Sequence, residues 1–307
     1  MGEPTTSEPP PGAPASPQAT LPAGPPQDAD DTRGTHLGAL FRHPLTISLA
    51  LTGAITGFVV GTLVWGAPIG GAIGAGILLL AALIVWLMAS SRAKEDFLRA
   101  YAEARGLARE GRGPLPPATP LLRRGDDRYA TERMRGALPG GETGTLAHYT
   151  YEEESRDSKG NKQTTYYHFT VVICEIPECA TRVGELYCQR RFGFRFLDGF
   201  EDAFRTKQRV EFESEHMDRR FETFADDDAD PNWLRQLFEP SFIVYLAESA
   251  PESFAFELVA GLLCVNVKGH SDSSAELDAL CEAAATVVRR LREESAEQPV
   301  GAPSPPL

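Results

Sequence analysis

Two histidines, His148 and His168, sit in the two most strand-like stretches of the chain, 145–152 (Thr-Leu-Ala-His-Tyr-Thr-Tyr-Glu) and 164–173 (Thr-Thr-Tyr-Tyr-His-Phe-Thr-Val-Val-Ile). Facing each other across a hairpin they could begin a metal site, because imidazole nitrogens bind zinc when two or three companions hold it at fixed angles. A turn centred near Ser158 brings the pair face to face; Cys174, His216 or His270 could complete the set, and none has a spacing that places it. Without a third ligand the two are partly exposed strand histidines. The five cysteines include no CxxC pair, and Cys174 and Cys264 lie in apolar stretches, as core thiols do. A nucleophilic thiol needs a placed base and an oxyanion hole, and nothing marks either. Asp226-Asp227-Asp228-Ala229-Asp230-Pro231-Asn232 alternates oxygens as a calcium loop does, but lacks the glycine at the sixth position and the glutamate at the twelfth. Asp230 before Pro231 instead makes a helix start. Arg219 and Arg220 near Glu211, Glu213 and Glu215 read as a charged strand face, and Gly269-His270-Ser271 is not a nucleophile elbow. No catalytic residue, cofactor or metal ligand is assigned on these grounds.

The elements that must position these residues begin near 121, where apolar and polar residues start to alternate, the period of a half-buried strand. Strands are predicted at 129–136, 145–152, 164–173, 184–190, 208–214 and 219–224, with the polar segment 155–162 turning the clearest hairpin. A helix starting at Pro231 runs towards Leu246, bent at Pro240. A second hairpin, 254–258 with 262–267, turns near Ala260-Gly261. The last helix spans 274–294, because Leu277, Leu280, Cys281, Ala284, Val287, Val288 and Leu291 recur at helical spacing. Hairpins followed by two helices predict an α+β domain with a mostly antiparallel sheet over 119–296.

Ahead of that domain, from Pro44 to Ser91, there is no Asp, Glu, Lys or Arg. One bilayer crossing takes about 20 apolar residues, so this run suffices for two. Trp65-Gly66-Ala67-Pro68 interrupts it, which predicts a transmembrane hairpin of helices 45–65 and 69–88 within 41–91. Gly53, Gly57 and Gly61 on the first helix, and Gly70 and Gly74 (with Gly76 beyond) on the second, form small-residue faces that let helix backbones approach in lipid. They are the expected packing residues, sealing the hairpin or joining copies of the chain. Segment 92–118 is predicted to continue the second helix to about Arg109 and then form a linker through Gly111-Arg112-Gly113-Pro114. Arg92, Lys94, Arg99, Arg105, Arg109 and Arg112 follow the second helix and the intervening turn has no cation, so the positive-inside rule places both termini in the cytoplasm. Residues 1–40, with nine prolines in the first 26, and 297–307 read as Pro-rich disordered tails.

The 307-residue chain carries a formal net charge of −13, which excludes a nucleic-acid partner that would need a basic surface. Five cysteines, an odd number on a reducing side, predict free thiols.

Arg209-Val210-Glu211-Phe212-Glu213-Ser214, Asp218-Arg219-Arg220-Phe221 and Leu237-Phe238-Glu239-Pro240-Ser241-Phe242-Ile243 together resemble a group of uncharacterised, largely actinobacterial integral membrane proteins with a transmembrane hairpin and a C-terminal domain. Asp218 stands where that motif has its first Phe. The resemblance spans about 40–295 and implies architecture, not activity. The expectation is a non-catalytic binding or scaffold module at the inner (plasma) membrane, whose partners are the lipid bilayer and a protein, or a second copy of itself. The alternatives are a membrane-surface enzyme with an unrecognised site in the α+β domain and a Gly-face-driven membrane oligomer.

Overall fold

The computed structural model describes residues 67–156, 158, 160–190, 207–210 and 215–297, with helical residues 52, 55, 56, 58–60, 62 and 63 before them. Its first complete element, α1, is one uninterrupted helix, Ala67–Ala104, through the uncharged run and beyond. It ends five residues earlier than expected because Gly106, at φ +65°, takes the left-handed position that closes a helix. Gly106 N–H donates to Glu103 O (3.2 Å) and Leu107 N–H to Ala102 O (2.9 Å), the paired bonds of a Schellman cap. Residues 108–109, expected to be helical, leave that cap as a short strand.

The described strands form one nine-stranded sheet in the order β1-β2-β3-β4-β9-β8-β5-β7-β6, with neighbours antiparallel. They are β1 (Ala108–Arg109), β2 (Asp127–Ala137), β3 (Thr143–Arg156), β4 (Lys162–Glu175), β5 (Glu185–Arg190), β6 (Lys207–Val210), β7 (Phe221–Asp226), β8 (Ala255–Val259) and β9 (Leu262–Lys268). Each predicted strand is present with ends shifted by a few residues; the 211–214 part of the strand predicted over 208–214 lies outside the described residues, and 219–220 belong to helix α3 (Glu215–Arg220), which delivers the chain into β7. The protein is thus α+β on a mostly antiparallel sheet, with more helices than the expected two. Besides α3 there are α2 (Pro120–Arg123), α4 (Pro231–Leu237), α5 (Pro240–Val244) and α6 (Ser274–Glu297). The predicted helix 231–246 is split where Pro240 removes an amide donor, and α5 runs on as a π turn, Tyr245–Ser249. Arg190 and Arg220 donate to the carbonyls of Leu246, Ala247 and Ala250 there, satisfying acceptors that the turn leaves open.

Both faces of the sheet are covered. On one, α6 buries every apolar position predicted for it, and the last turns of α1 add Phe97, Leu98, Tyr101 and Ala102. Tyr101 Oη donates to Asp278 Oδ1 (2.9 Å) and the Arg105 guanidinium pairs with the same carboxylate, so α1 and α6 share one clamp. On the other face Tyr149, Tyr151, Phe169 and Val171 pack under Leu121 and Leu122, with Leu115 beside them. The Pro-rich stretch that reads as a linker therefore roofs a second core.

The β8–β9 turn is two residues long, Ala260 at φ +48° and Gly261 at φ +80°, between the paired Val259 and Leu262. Both angles positive is the hairpin turn whose twist matches the strands, and it disfavours Ala at the first position. A Cβ on Gly261 would also lie 2.9 Å from Ile176 O. Ala260→Asn is expected to stabilise the chain by about 0.5 kcal/mol, and Gly261→Ala to destabilise it by roughly 1–3 kcal/mol, in urea unfolding followed by tyrosine fluorescence.

Candidate functional site

The polar cluster lies on the helix-covered face, where α1 meets the sheet. Two local irregularities build it. The first is the β3–β4 register: Arg156 pairs with Lys162, so the turn centres on 159 rather than 158. Moving the centre by one residue moves each partner by two. His148 stands opposite Thr170 and His168 opposite Thr150, so the two histidines are diagonal neighbours and not the facing pair expected. The second is a bulge in β2. Ala130 pairs with Tyr149 and Glu132 with His148, leaving Thr131 as an extra residue. In a regular strand 130 and 132 would share a face. The bulge instead sends Ala130 to the second core and turns Glu132, 5% exposed, onto the histidine face. There Arg109 meets it with two bonds, Nε to Oε1 (2.7 Å) and Nη2 to Oε2 (2.6 Å).

The gap between the diagonal histidines is filled by His270, from the connection between β9 and α6. Its ring stacks on His148 at 4.7 Å with 5° between planes, and lies 4.8 Å from His168. Each imidazole is fixed by a neutral partner. His148 Nε2 is 3.1 Å from Ser271 O, and His270 Nε2 is 3.1 Å from Tyr149 O. Thr150 Oγ1 lies 3.0 Å from His168 Nδ1 and 3.3 Å from His270 Nε2. Thr170 holds the same connection, donating to Gly269 O (2.9 Å) and accepting from Ser271 N–H (2.8 Å). Burial, then the neighbouring His270, pushes the His148 imidazole down to about 3; burial lowers His270 as well. Lys94, Glu95, Leu98, Arg109, Thr131, Glu132, His148, His270 and Asp272 line a cavity of about 300 Å³ against this cluster.

The cluster unites His148, His168 and His270, but its geometry is not that of a metal centre. A ligated ion lies in the plane of each ring, and rings stacked 5° from parallel cannot share one. Among the described residues no group of three or more His, Cys, Asp or Glu could hold a metal ion. Cys174 is in the core of the same face, and His216 falls on α3.

The remaining sequence candidates are structural. All five cysteines are free and buried, and burial raises each thiol above its ordinary range. In the acidic loop Asp230 caps α4 by accepting from Asn232 N–H (2.8 Å), and Asp226 pairs with Lys207. Glu211 and Glu213 lie outside the described residues. So do Gly53, Gly57 and Gly61; Gly70 and Gly74 fall on α1, and a Cβ at Gly76 would meet nothing within 4 Å.

Sequence reasoning missed two other features. The first is a polar groove of about 460 Å³ at the edge of the sheet, lined by Arg133, Arg135 and Arg292 and by Glu110, Glu142 and Glu175. The second is Glu257, buried under the 119–123 segment, where it accepts from Leu121 N–H (3.0 Å). Burial pushes its carboxyl up to about 7. A carboxyl raised in the folded state contributes stability that is present below about 4.5 and lost as pH rises through 7. Glu257→Gln, which keeps the acceptor for Leu121, is expected to raise unfolding stability by roughly 3 kcal/mol at pH 8 and by under ~1 kcal/mol at pH 5, read from urea titrations at both pH values.

No protein-family model matches the chain, and no curated protein matches it. Among solved structures it is similar to the crystal structure of the mycobacterial trehalose monomycolate transport factor A, TtfA, at 11% identity and a TM-score of 0.37, over 67% of this chain and 96% of that one.

Proposed function

We propose that this chain is a membrane-anchored binding module, with a hairpin in the bilayer and an α+β domain that engages a protein partner at the cytoplasmic surface. The observation that carries the reading is where its exposed apolar side chains lie. Among the described residues the exposed large hydrophobics are Ile55, Phe58, Val59, Val60, Leu63, Leu79, Leu80, Leu83, Ile84, Trp86 and Leu87, joined elsewhere only by Tyr166 and Val244. Exposed apolar side chains in such numbers demand a cover. Counted over the described residues, no helix is long and apolar enough to cross a membrane. The backbone of α1 is nevertheless continuous through a run with no charge before Arg92. In that run Thr62 and Ser91 turn their hydroxyls back on their own helix, to Phe58 O (2.6 Å) and Leu87 O (3.0 Å), as hydroxyls in lipid do.

The binding half of the reading is supported by the groove lined by both guanidinium and carboxylate groups, which suits a polar, mixed-charge protein segment better than an apolar ligand. Arg135 is exposed on its rim.

The anchor is tested by alkaline carbonate extraction of membranes. The full chain is expected to stay in the pellet and a chain lacking 44–91 to leave it; release of both would overturn the anchor. Its orientation is tested with Ser158→Cys, an exposed turn position in a protein whose own thiols are buried. A bulky maleimide is expected to label it in inverted vesicles and not in right-side-out ones, and the reverse pattern would overturn the cytoplasmic placement.

A further inference from the structure

The histidine cluster sits where three parts of the protein are joined. β3 and β4 contribute His148, Thr150, His168 and Thr170; the 269–273 connection contributes His270, Ser271 and Asp272; α1 contributes Lys94. Lys94 Nζ bonds Asp272 Oδ2 at 2.7 Å, so the connection that carries His270 also ties α1 to the sheet. We propose that this cluster is an acid-responsive latch: with its imidazoles neutral it holds the 269–273 connection and α1 on the sheet, and on taking up protons it releases both.

The surroundings favour release over accommodation. The charged groups facing the cluster are Lys94 and Glu95 from α1, Arg109 from β1, Glu132 from β2 and Asp272 from the connection. Each of the three carboxylates is already engaged: Glu132 with Arg109, Asp272 with Lys94, and Glu95 with Arg99. An added proton on His148 or His270 therefore meets paired carboxylates, a lysine lining the same cavity and a second imidazole whose ring centre is within 5 Å, and like charges there repel. A proton has a way in, because His168 is exposed while His148 is 4% exposed. The carbonyl and hydroxyl partners of the rings fix their positions without supplying charge. Burial keeps the two inner imidazoles below their ordinary range of 6.5. The sign follows: a base held down in the closed state supports that state above about 6.5 and loses its hold progressively as pH falls.

The test is hydrogen–deuterium exchange of the full chain in lipid nanodiscs at pH 7.5 and 5.5, corrected for the chemical exchange rate. An imidazole that titrates normally once released favours the open state by about tenfold at pH 5.5 relative to pH 7.5. Peptides covering 92–104 and 268–275 are therefore expected to lose about tenfold or more in protection, since both His148 and His270 are held down, while 184–190 and 255–259 keep theirs. His270→Gln, which retains an N–H donor for Tyr149 O, is expected to shrink that step to the part His148 carries. Equal protection at both pH values would overturn the latch, as would a loss spread evenly over the domain, which is ordinary acid unfolding. The wild-type comparison decides the matter by itself should His270→Gln not fold.

Discussion

The burial of the last turns of α1 against the sheet is the contact through which the apolar run and the α+β domain act as one body. Ala93, Phe97 and Tyr101 are at most 1% exposed, and Phe97, Leu98, Tyr101 and Ala102 lie in the main core. These five recur at three- and four-residue spacing, so one stripe of α1 is core while Arg99 and Glu103 on the other side stay in water. Fully burying a large side chain is worth about 1.5–3 kcal/mol, so Phe97 and Leu98 alone outweigh the surface ion pairs beside them. The helix cannot tilt or rotate without opening this core. The Schellman cap at Gly106 then reverses the chain within two residues and starts β1, so the sheet begins where the helix stops.

That constraint gives the polar cluster its meaning. Imidazoles, hydroxyls and ion pairs are not needed to close a core; apolar residues of the same volume would stabilise it at least as well. The polar groups are concentrated at one seam, beneath the helix that leads from the apolar run into the core, which is where the proposed latch lies. Glu257 on the opposite face responds to pH in the opposite sense, losing its contribution as pH rises where the histidines lose theirs as it falls. The two faces together confine greatest stability to the window between.

Much of the architecture was legible in the sequence because it rests on periodicity. The alternation in 145–152 and 164–173 set β3 and β4, the Ala-Gly pair at 260–261 marked a turn, and the apolar spacing of 274–294 set α6 with every predicted position buried. What failed depended on single-residue offsets or on contacts distant in sequence. Two glycine-poor polar turns of adjacent centres look alike, yet the choice between 158 and 159 decides whether His148 meets His168 or Thr170. Nothing in Thr131 announces a bulge, and without it Glu132 would point away from Arg109. His270 was one of three candidates for completing the pair, and only the path from β9 into α6 selects it. The second core was not read from the sequence: Tyr149, Tyr151 and Phe169 pack under Leu121 and Leu122, with Leu115 of the Pro-rich stretch beside them. Its prolines suggested a spacer because they forbid a helix, but an extended segment also lies well over a sheet.

The central claim is that α1 is one rigid element from the apolar run into the core, and spin labels along it test this most directly. Nitroxides placed singly at Leu79, Leu83, Leu87, Glu95 and Arg99, all exposed positions, would be read in lipid vesicles for mobility and for relaxation by oxygen and by a water-soluble nickel chelate. The account predicts oxygen-dominated relaxation at 79, 83 and 87, nickel-dominated relaxation at 95 and 99, and ordered helix-surface spectra on both sides of the crossing. Nickel access at 79–87, or highly mobile spectra at 95 and 99, would contradict it.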